Sequence, residues 1–116
     1  MKLNVVSKED GLTSVESVGD ITVFDLSDRE NPLETLLGID CYRQTVLLDL
    51  AQSTYIDSSG VGWLIQCHTK FQHGGGRLVV HSIAPMVNHC FRVLGVYDVL
   101  NVASDKAVAM ALASAR

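Results

Sequence analysis

Two neighbouring hydroxyl side chains next to a carboxylate are the groups in this sequence best suited to chemistry. They are Ser58 and Ser59, which follow Asp57. A serine hydroxyl can act as a nucleophile or accept a phosphoryl group. The apolar spacing of a helix begins at Val61, so the three residues are predicted at a helix N-terminus. The simplest interpretation is that one of them only caps that helix, which is worth about 1 kcal/mol.

The two glycines that follow, Gly60 and Gly62, point to more than a cap. Glycine exposes the backbone and lets another surface approach closely. A phosphoryl group on a serine here would face free N–H groups and the positive end of the helix dipole, so it need not unfold the protein. We therefore predict a protein-binding surface made of the residues from Asp57 to Trp63. Trp63 itself is favoured as a half-buried core residue, with an interface anchor as the alternative.

A hydrolase is one alternative for the serines. Its nucleophile elbow has the pattern Gly-x-Ser-x-Gly, but here isoleucine and aspartate stand two residues before Ser58 and Ser59. His81 or His89 could supply a base, yet nothing in their spacing requires it. The chain is therefore predicted not to be an enzyme.

Nucleotide and metal binding are also weakly supported. The run Gly74-Gly75-Gly76 leads from a helix into a strand, whereas phosphate-binding loops lead from a strand into a helix. His68 and His73 are five residues apart and would diverge on a helix. Three further candidate ligands are widely spaced and outside any CxxC pattern, and are expected to be small core residues: Cys41, Cys67 and Cys90. We predict no cofactor and no metal.

Length and charge limit the class of protein. The 116 residues suit one domain, over 1–116. The net charge is −4, whereas a nucleic-acid binder needs basic residues to contact the phosphate backbone, so no direct contact with nucleic acid is predicted. The longest apolar runs are far shorter than the roughly 20 residues of a membrane span, and Met1-Lys2-Leu3-Asn4 does not resemble a signal peptide. A cytoplasmic protein without membrane insertion is expected.

Apolar spacing predicts alternating strands and helices around this segment. A hairpin is expected from Thr13–Val18, a Gly19-Asp20 turn and Ile21–Phe24. Periodicity predicts the later strands and helices, and proline, serine and glycine predict where the helices begin and end. The predicted elements are helix Pro32–Leu37 ended by Gly38, strand Thr45–Leu50, helix Ser59–Gln72, strand Arg77–His81, helix Pro85–Leu94 before Gly95, and strand Val99–Val102. A last helix is capped by Ser104 and has the apolar stripe Val108, Ala111, Leu112 and Ala115.

This order predicts an α/β fold, with right-handed crossovers joining parallel strands in a mixed sheet flanked by helices. Binding surfaces of such sheets lie at the carboxyl ends of the strands. The segment from Asp57 to Gly62 follows the strand Thr45–Leu50, so it belongs at such an end.

The segment Tyr55-Ile56-Asp57-Ser58-Ser59-Gly60-Val61-Gly62 resembles the signature of the STAS domain of bacterial anti-sigma factor antagonists. The order of elements resembles that family over about Thr13–Ala115. The resemblance is strongest from Val46 to Leu94, where a buried strand precedes the signature and the Gly74-Gly75-Gly76 run follows it.

The resemblance implies a function. Such antagonists, when unmodified, bind an anti-sigma factor that is also a serine kinase, and so regulate sigma-dependent transcription. Phosphorylation of the serine after the signature aspartate releases them, which carries over to Ser58, and a metal-dependent serine phosphatase reverses it. Asp57 would help present Ser58, and Ser59 would cap the helix. The alternative is a stand-alone STAS subunit of a membrane transport ATPase or signalling complex.

The segment Ser27–Arg43 departs from the family. Many members carry a Gly-Glu-Leu-Asp-like turn after the second strand and then a long helix. Here Asp25-Leu26-Ser27-Asp28 precedes the short Pro32–Leu37 helix, and Asp28 is a weak counterpart of the turn's aspartate.

Overall fold

The computed structural model describes residues 1–26 and 30–114. These residues form five strands, four helices and two short 3-10 helices, Ile39–Arg43 and Val96–Asp98. The strands are β1 (Lys2–Glu9), β2 (Leu12–Val18), β3 (Thr45–Gln52), β4 (Arg77–His81) and β5 (Asn101–Ala103), and the helices are α1 (Pro32–Leu37), α2 (Ser58–Gly74), α3 (Pro85–Val93) and α4 (Lys106–Ser114). The predicted α/β class with a mixed central sheet flanked by helices is confirmed.

The strands lie in the sheet in the same order as in the sequence, β1-β2-β3-β4-β5. Among the described strands, β1 and β2 pair antiparallel and the other neighbouring pairs are parallel. Because right-handed crossovers that always step in one direction fall on one side of a sheet, α1, α2 and α3 share one face. That face holds the main core, in which Leu48, Val80, Phe71 and Phe91 are buried.

Helix α4 returns over the other face of the sheet and forms a smaller core. Ala109 of α4 packs there with Leu47 of β3, Val79 of β4 and Ala103 of β5. Ser104 was predicted to cap this helix, and the prediction is wrong by one residue. The cap is Asp105, whose carboxylate accepts the Val108 N–H at 2.9 Å.

The apolar stripe predicted for α4 is also wrong, since Val108 and Leu112 are exposed. Ala109 and the partly buried Ala113 face the sheet instead, because their small side chains let the helix lie close to it. Ala111 is exposed, and Ala115 lies outside the described residues.

The predicted N-terminal hairpin is wrong in position. Strand β1 pairs with β2 through a turn at Asp10-Gly11, where both residues have positive φ (44° and 78°). Asp-Gly is a favoured sequence for a two-residue hairpin turn. The segment after β2 does not fold back, and Ile21 instead forms an isolated parallel bridge with Ile56. Strand β1 was not predicted, because it is a mostly exposed edge strand whose apolar and polar residues do not alternate regularly.

The remaining elements agree closely with the sequence prediction. Helix α1 spans Pro32–Leu37 as expected, and Gly38 follows it with φ 82°. Helix α3 begins at Pro85, and Gly95 takes the left-handed conformation after it. These boundaries were predictable because proline and glycine restrict the backbone locally.

Two histidines and two cysteines are buried in this fold. Burial lowers the pKa of His68 and of His81, because removing water disfavours the charged imidazolium. Cys41 and Cys67 are buried thiols whose pKa is raised by the same loss of water. Among residues 1–26 and 30–114, no group of three or more histidine, cysteine or acidic side chains is arranged to hold a metal.

Candidate functional site

Asp57 joins the start of α2 to the loop that follows β2. One carboxylate oxygen accepts the Gly60 N–H at 3.0 Å, which makes Asp57 the N-cap of α2. The other accepts the Val23 N–H at 2.9 Å. The expectation that Ser59 is the cap is therefore wrong. Aspartate is the better choice because its two oxygens serve two donors at once.

Ser58 and Ser59 are left exposed by this arrangement. Ser58 is the first residue of α2, and both serine side chains face solvent. The positive end of the α2 dipole lies at the same place. Ser58 therefore lies outside the core, where its hydroxyl can be modified.

The two glycines of the segment have opposite surroundings. A Cβ on the buried Gly60 would lie 2.5 Å from the Ile56 side chain and 2.6 Å from the Ile21 carbonyl oxygen. A Cβ on Gly62 would meet no atom of the described residues within 4 Å. Gly60 is therefore required for packing beneath the segment, whereas Gly62 opens outward. Val61, also predicted for the surface, is buried.

Trp63 lies inward, with only 6% of its surface exposed. Its indole N–H donates to the Asn31 side-chain oxygen at 3.1 Å. The same oxygen accepts the Leu33 N–H at 2.9 Å and so caps α1. Trp63 thus fixes the start of α1 against α2. The sequence did not predict this link, because Asn31 and Trp63 are 32 residues apart.

A groove of about 440 Å³ runs beside the exposed serines, between the loop after β2, the start of α1 and the outer face of α2. Its lining combines apolar and polar side chains and includes Val23, Leu26, Glu30, Asn31, Pro32, Ser59, Gly62, Trp63, Gln66 and Lys70. Three members of the predicted surface line it: Ser59, Gly62 and the mostly buried Trp63. We call this depression the α1–α2 groove.

The loop beside the groove presents apolar side chains. Phe24 is 87% exposed and Val23 about half exposed, and Tyr55 in the connection between β3 and α2 is also about half exposed. Asp25 fixes the loop internally, since its carboxylate accepts both the N–H and the hydroxyl of Thr22 at 2.9 and 3.0 Å. Asp28, the weak counterpart of the family's turn aspartate, lies outside the described residues.

A charged cluster at the far end of the groove was also missed from the sequence. Glu34 accepts hydrogen bonds from Lys70 at 2.8 Å and from the Tyr42 hydroxyl at 2.6 Å. The Lys70 ammonium, and then the Tyr42 hydroxyl, hold the pKa of Glu34 below its usual value. The positive charge of Lys70 in the groove is therefore already paired.

The glycine run after α2 does not form a phosphate cradle. Gly75 ends the helix with φ 84°, and its N–H donates to the Phe71 carbonyl. The Gly76 N–H donates to the carbonyls of Tyr42 and Phe71, and the Arg77 N–H to that of Gln44. These N–H groups are used within the fold, so they are unavailable to a phosphate.

Asp57 can be tested through its two hydrogen bonds separately. Asp57→Ala should lower the free energy of unfolding by about 1 to 2 kcal/mol, because the α2 cap is lost. Asp57→Asn should cost less, since its remaining oxygen can still cap the helix. Urea denaturation measures the stability, and amide exchange locates the effect. The Val23 amide should exchange faster in both variants, and the Gly60 amide only in Asp57→Ala; unchanged Val23 exchange would refute the tether.

Comparisons with known proteins agree with this fold. A family model described as the STAS domain matches residues 4–109. A candidate anti-sigma factor antagonist, TM1081 of Thermotoga maritima, has a crystal structure similar to this chain with a TM-score of 0.81 at 13% identity, covering 98% of this chain and 94% of that one. The anti-sigma factor antagonist SpoIIAA in its unphosphorylated form gives a TM-score of 0.69 at 17% identity, covering 99% of this chain and 97% of that one.

The third similar structure is a larger protein. The murine anion transporter Slc26a9 matches with a TM-score of 0.74 at 16% identity, over 95% of this chain but 19% of the transporter. At these identities the three likenesses show the shared fold. Within the described residues, this chain has no helix with the length and apolar character needed to cross a bilayer.

Proposed function

Because this chain belongs to the STAS-domain family, with residues 4–109 matching the family, we propose that it is an anti-sigma factor antagonist controlled by phosphorylation. In its unmodified form it binds an anti-sigma factor that is also a serine kinase. Phosphorylation of Ser58 releases it, and a serine phosphatase restores it. The chain acts in the cytoplasm by binding, without catalysis, and regulates transcription without contacting nucleic acid.

The exposure of Ser58 at the N-terminus of α2 is the observation that supports this proposal. A kinase can reach the hydroxyl without disturbing the core. The Asp57 carboxylate already has both oxygens engaged, by Gly60 and Val23. Modification of Ser58 would therefore act on a site whose geometry is fixed beforehand.

Charge explains how one phosphoryl group could end binding. It adds about −1.5 to −2 charges at neutral pH, next to Asp57 on a chain of net charge −4. A flush interface would have to remove water from that charge and would leave it without a matched partner, at a cost of several kcal/mol. About 1.4 kcal/mol is already a tenfold change in affinity. A large conformational change is not needed.

The similar structures are consistent with such a cycle. Bacillus SpoIIAA is known in a phosphorylated form, which matches this chain with a TM-score of 0.61 at 13% identity, over 96% of this chain and 99% of that one. The phosphorylated relative thus keeps the same fold, in line with a switch that acts at the surface.

The test compares two substitutions of Ser58. Ser58→Ala should bind the partner at least as tightly as the unmodified wild type, and Ser58→Asp at least about tenfold more weakly. Partners co-purified with Ser58→Ala are identified by mass spectrometry, and the purified anti-sigma factor is then titrated by calorimetry.

Both Ser58 variants should melt within a degree or two of the wild type, because the side chain is exposed. Thr69→Asp, which places a carboxylate at an exposed site farther along α2, is the charge control and should bind normally. Equal affinity of Ser58→Ala and Ser58→Asp would contradict the switch.

A constitutive subunit of a transport ATPase or signalling complex is the second candidate. The likeness to a region of Slc26a9, an anion transporter, fits this candidate in part, since it links the fold to a transporter but not to a separate ATPase subunit. In that case Ser58→Ala and Ser58→Asp would bind equally well, and the co-purified protein would be an ATPase or a signalling subunit.

A further inference from the structure

Strand β1 forms an open border of the sheet. It spans eight residues, Lys2–Glu9, whereas β5 at the other border spans three. Within the part of the chain that the structure describes, β1 is paired on one side, with β2. Alternate backbone N–H and C=O groups of an edge strand point away from the sheet, so a long edge can pair with another strand. Two apolar side chains in the middle of β1, Val5 and Val6, are 44% and 56% exposed.

A β-bulge in the middle of β1 decides which face of the sheet its side chains lie on. Val5 is opposite Val15 and Ser7 is opposite Ser14, so Val6 is the extra residue. Side chains of a regular strand alternate between the two faces, and an extra residue shifts this alternation by one position. Even-numbered residues of β2 lie on the face that carries α4, since Leu12 packs against the smaller core. The residues of β1 opposite them share that face: Lys2, Asn4, Ser7 and Glu9.

We propose that β1 pairs with β1 of a second copy of this chain, in an antiparallel register centred between Val5 and Val6. This pairing joins two five-stranded sheets into one. Lys2 of one copy then lies opposite Glu9 of the other, and two-fold symmetry forms that pair twice. Opposite charges directly across an antiparallel pair stabilise it, and like charges destabilise it. Because of the bulge, Lys2 and Glu9 lie on the same face, although they are seven residues apart.

The two neighbouring registers fit the strand less well. A register centred on Val5 would place Lys2 opposite Lys8 of the second copy, and these are like charges. The two lysines would also lie on different faces, because Lys8 is opposite Thr13, an odd-numbered residue of β2. A register centred on Val6 brings together residues of different faces for the same reason. Charge and side-chain direction thus favour the register centred between the two valines.

This border is separate from the surface around Ser58. Strand β2 lies between β1 and β3, and β3 is the strand that leads to Ser58. The inference therefore goes beyond the proposed function and does not depend on it. Ser58→Asp should leave self-association unchanged, even where it weakens binding of an anti-sigma factor.

Exchanging the two charges provides the test, by sedimentation velocity over a concentration series with any affinity tag removed. Lys2→Glu should raise the dimer dissociation constant about tenfold or more, because both symmetric pairs become repulsive. Glu9→Lys should have the same effect. The double variant, Lys2→Glu with Glu9→Lys, should restore the wild-type dissociation constant, since each pair again joins opposite charges. Lys8→Glu is the matched control: it makes the same charge change on β1, but opposite Leu3 of the second copy, and should change self-association little.

The variants should keep the wild-type circular dichroism spectrum and melt close to the wild type, because Lys2, Lys8 and Glu9 are exposed. A wild type that stays monomeric up to about 1 mM would overturn the proposal. The bulge and the lysines of β1 would then serve to keep the border unpaired. A dimer that Lys2→Glu leaves intact, or that the double variant does not restore, would use another register or another surface and would equally overturn it.

Discussion

Gly60→Ala should lower the free energy of unfolding by about 3 kcal/mol, near the upper end of the usual cost of overpacking. The added methyl carbon would lie 2.5 Å from the Ile56 side chain and 2.6 Å from the Ile21 carbonyl oxygen. The backbone cannot give way easily there, because Ile21 and Ile56 form the parallel bridge and the Asp57 N–H donates to the Ile21 carbonyl at 3.2 Å. The strain therefore falls on the contact that places Asp57 and Ser58.

Urea denaturation measures this effect, and Gly62→Ala is its matched control. The same change two residues along α2 should raise stability by about 0.5 to 1 kcal/mol. The two variants thus differ in sign, although helix propensity alone would predict a gain for both. A gain in stability for Gly60→Ala would contradict the close packing against Ile21 and Ile56.

Gly76→Ala should cost at least about 3 kcal/mol, because the added carbon would press against the carbonyl oxygen of Gln44 and lie 2.5 Å from that of Tyr42. The Gly76 N–H donates to the carbonyls of Tyr42 and Phe71, at 2.9 and 3.0 Å, so moving the chain away would break hydrogen bonds. The connection between α2 and β4 would be displaced.

Thermal melting followed by circular dichroism tests Gly76→Ala, with Gly75→Asn as its companion. Gly75 needs a left-handed backbone (φ 84°) and has open space around its Cβ position. Asparagine tolerates that conformation better than most residues, so Gly75→Asn should be the milder change. If Gly76→Ala were as stable as the wild type, the contact with Gln44 and Tyr42 would be wrong.

The local backbone signals gave the most accurate part of the sequence analysis. Pro32 and Pro85 each begin a helix, and Gly38 and Gly95 follow one, as predicted. Such residues act through their own φ angles, so no knowledge of the tertiary structure is needed. The position of Ser58 at a helix start was predictable for another reason, because the apolar spacing of a helix begins at Val61.

Tertiary packing decided the features that the sequence analysis missed. In α4 the apolar spacing of Val108 and Leu112 matched a helix stripe, yet close approach to the sheet selected Ala109. Gly60 and Gly62 cannot be told apart in the sequence, and their roles differ because Ile21 and Ile56 pack against Gly60.

The bond between Asn31 and Trp63 is another long-range contact that periodicity does not reveal. The same holds for the pairing of Lys70 with Glu34, which are 36 residues apart. Both contacts lie at the α1–α2 groove, so the groove could not be predicted from the sequence.

The match between strand order in the sheet and strand order in the sequence has a consequence for biosynthesis. During translation, each new strand after the β1–β2 ribbon can add to the open border of a sheet that has already emerged from the ribosome. No later strand has to be inserted between two earlier ones, so the assembly avoids a topological rearrangement. A nascent chain can thus consolidate stepwise from its N-terminal side, which shortens the time that unpaired strand borders are available for aggregation.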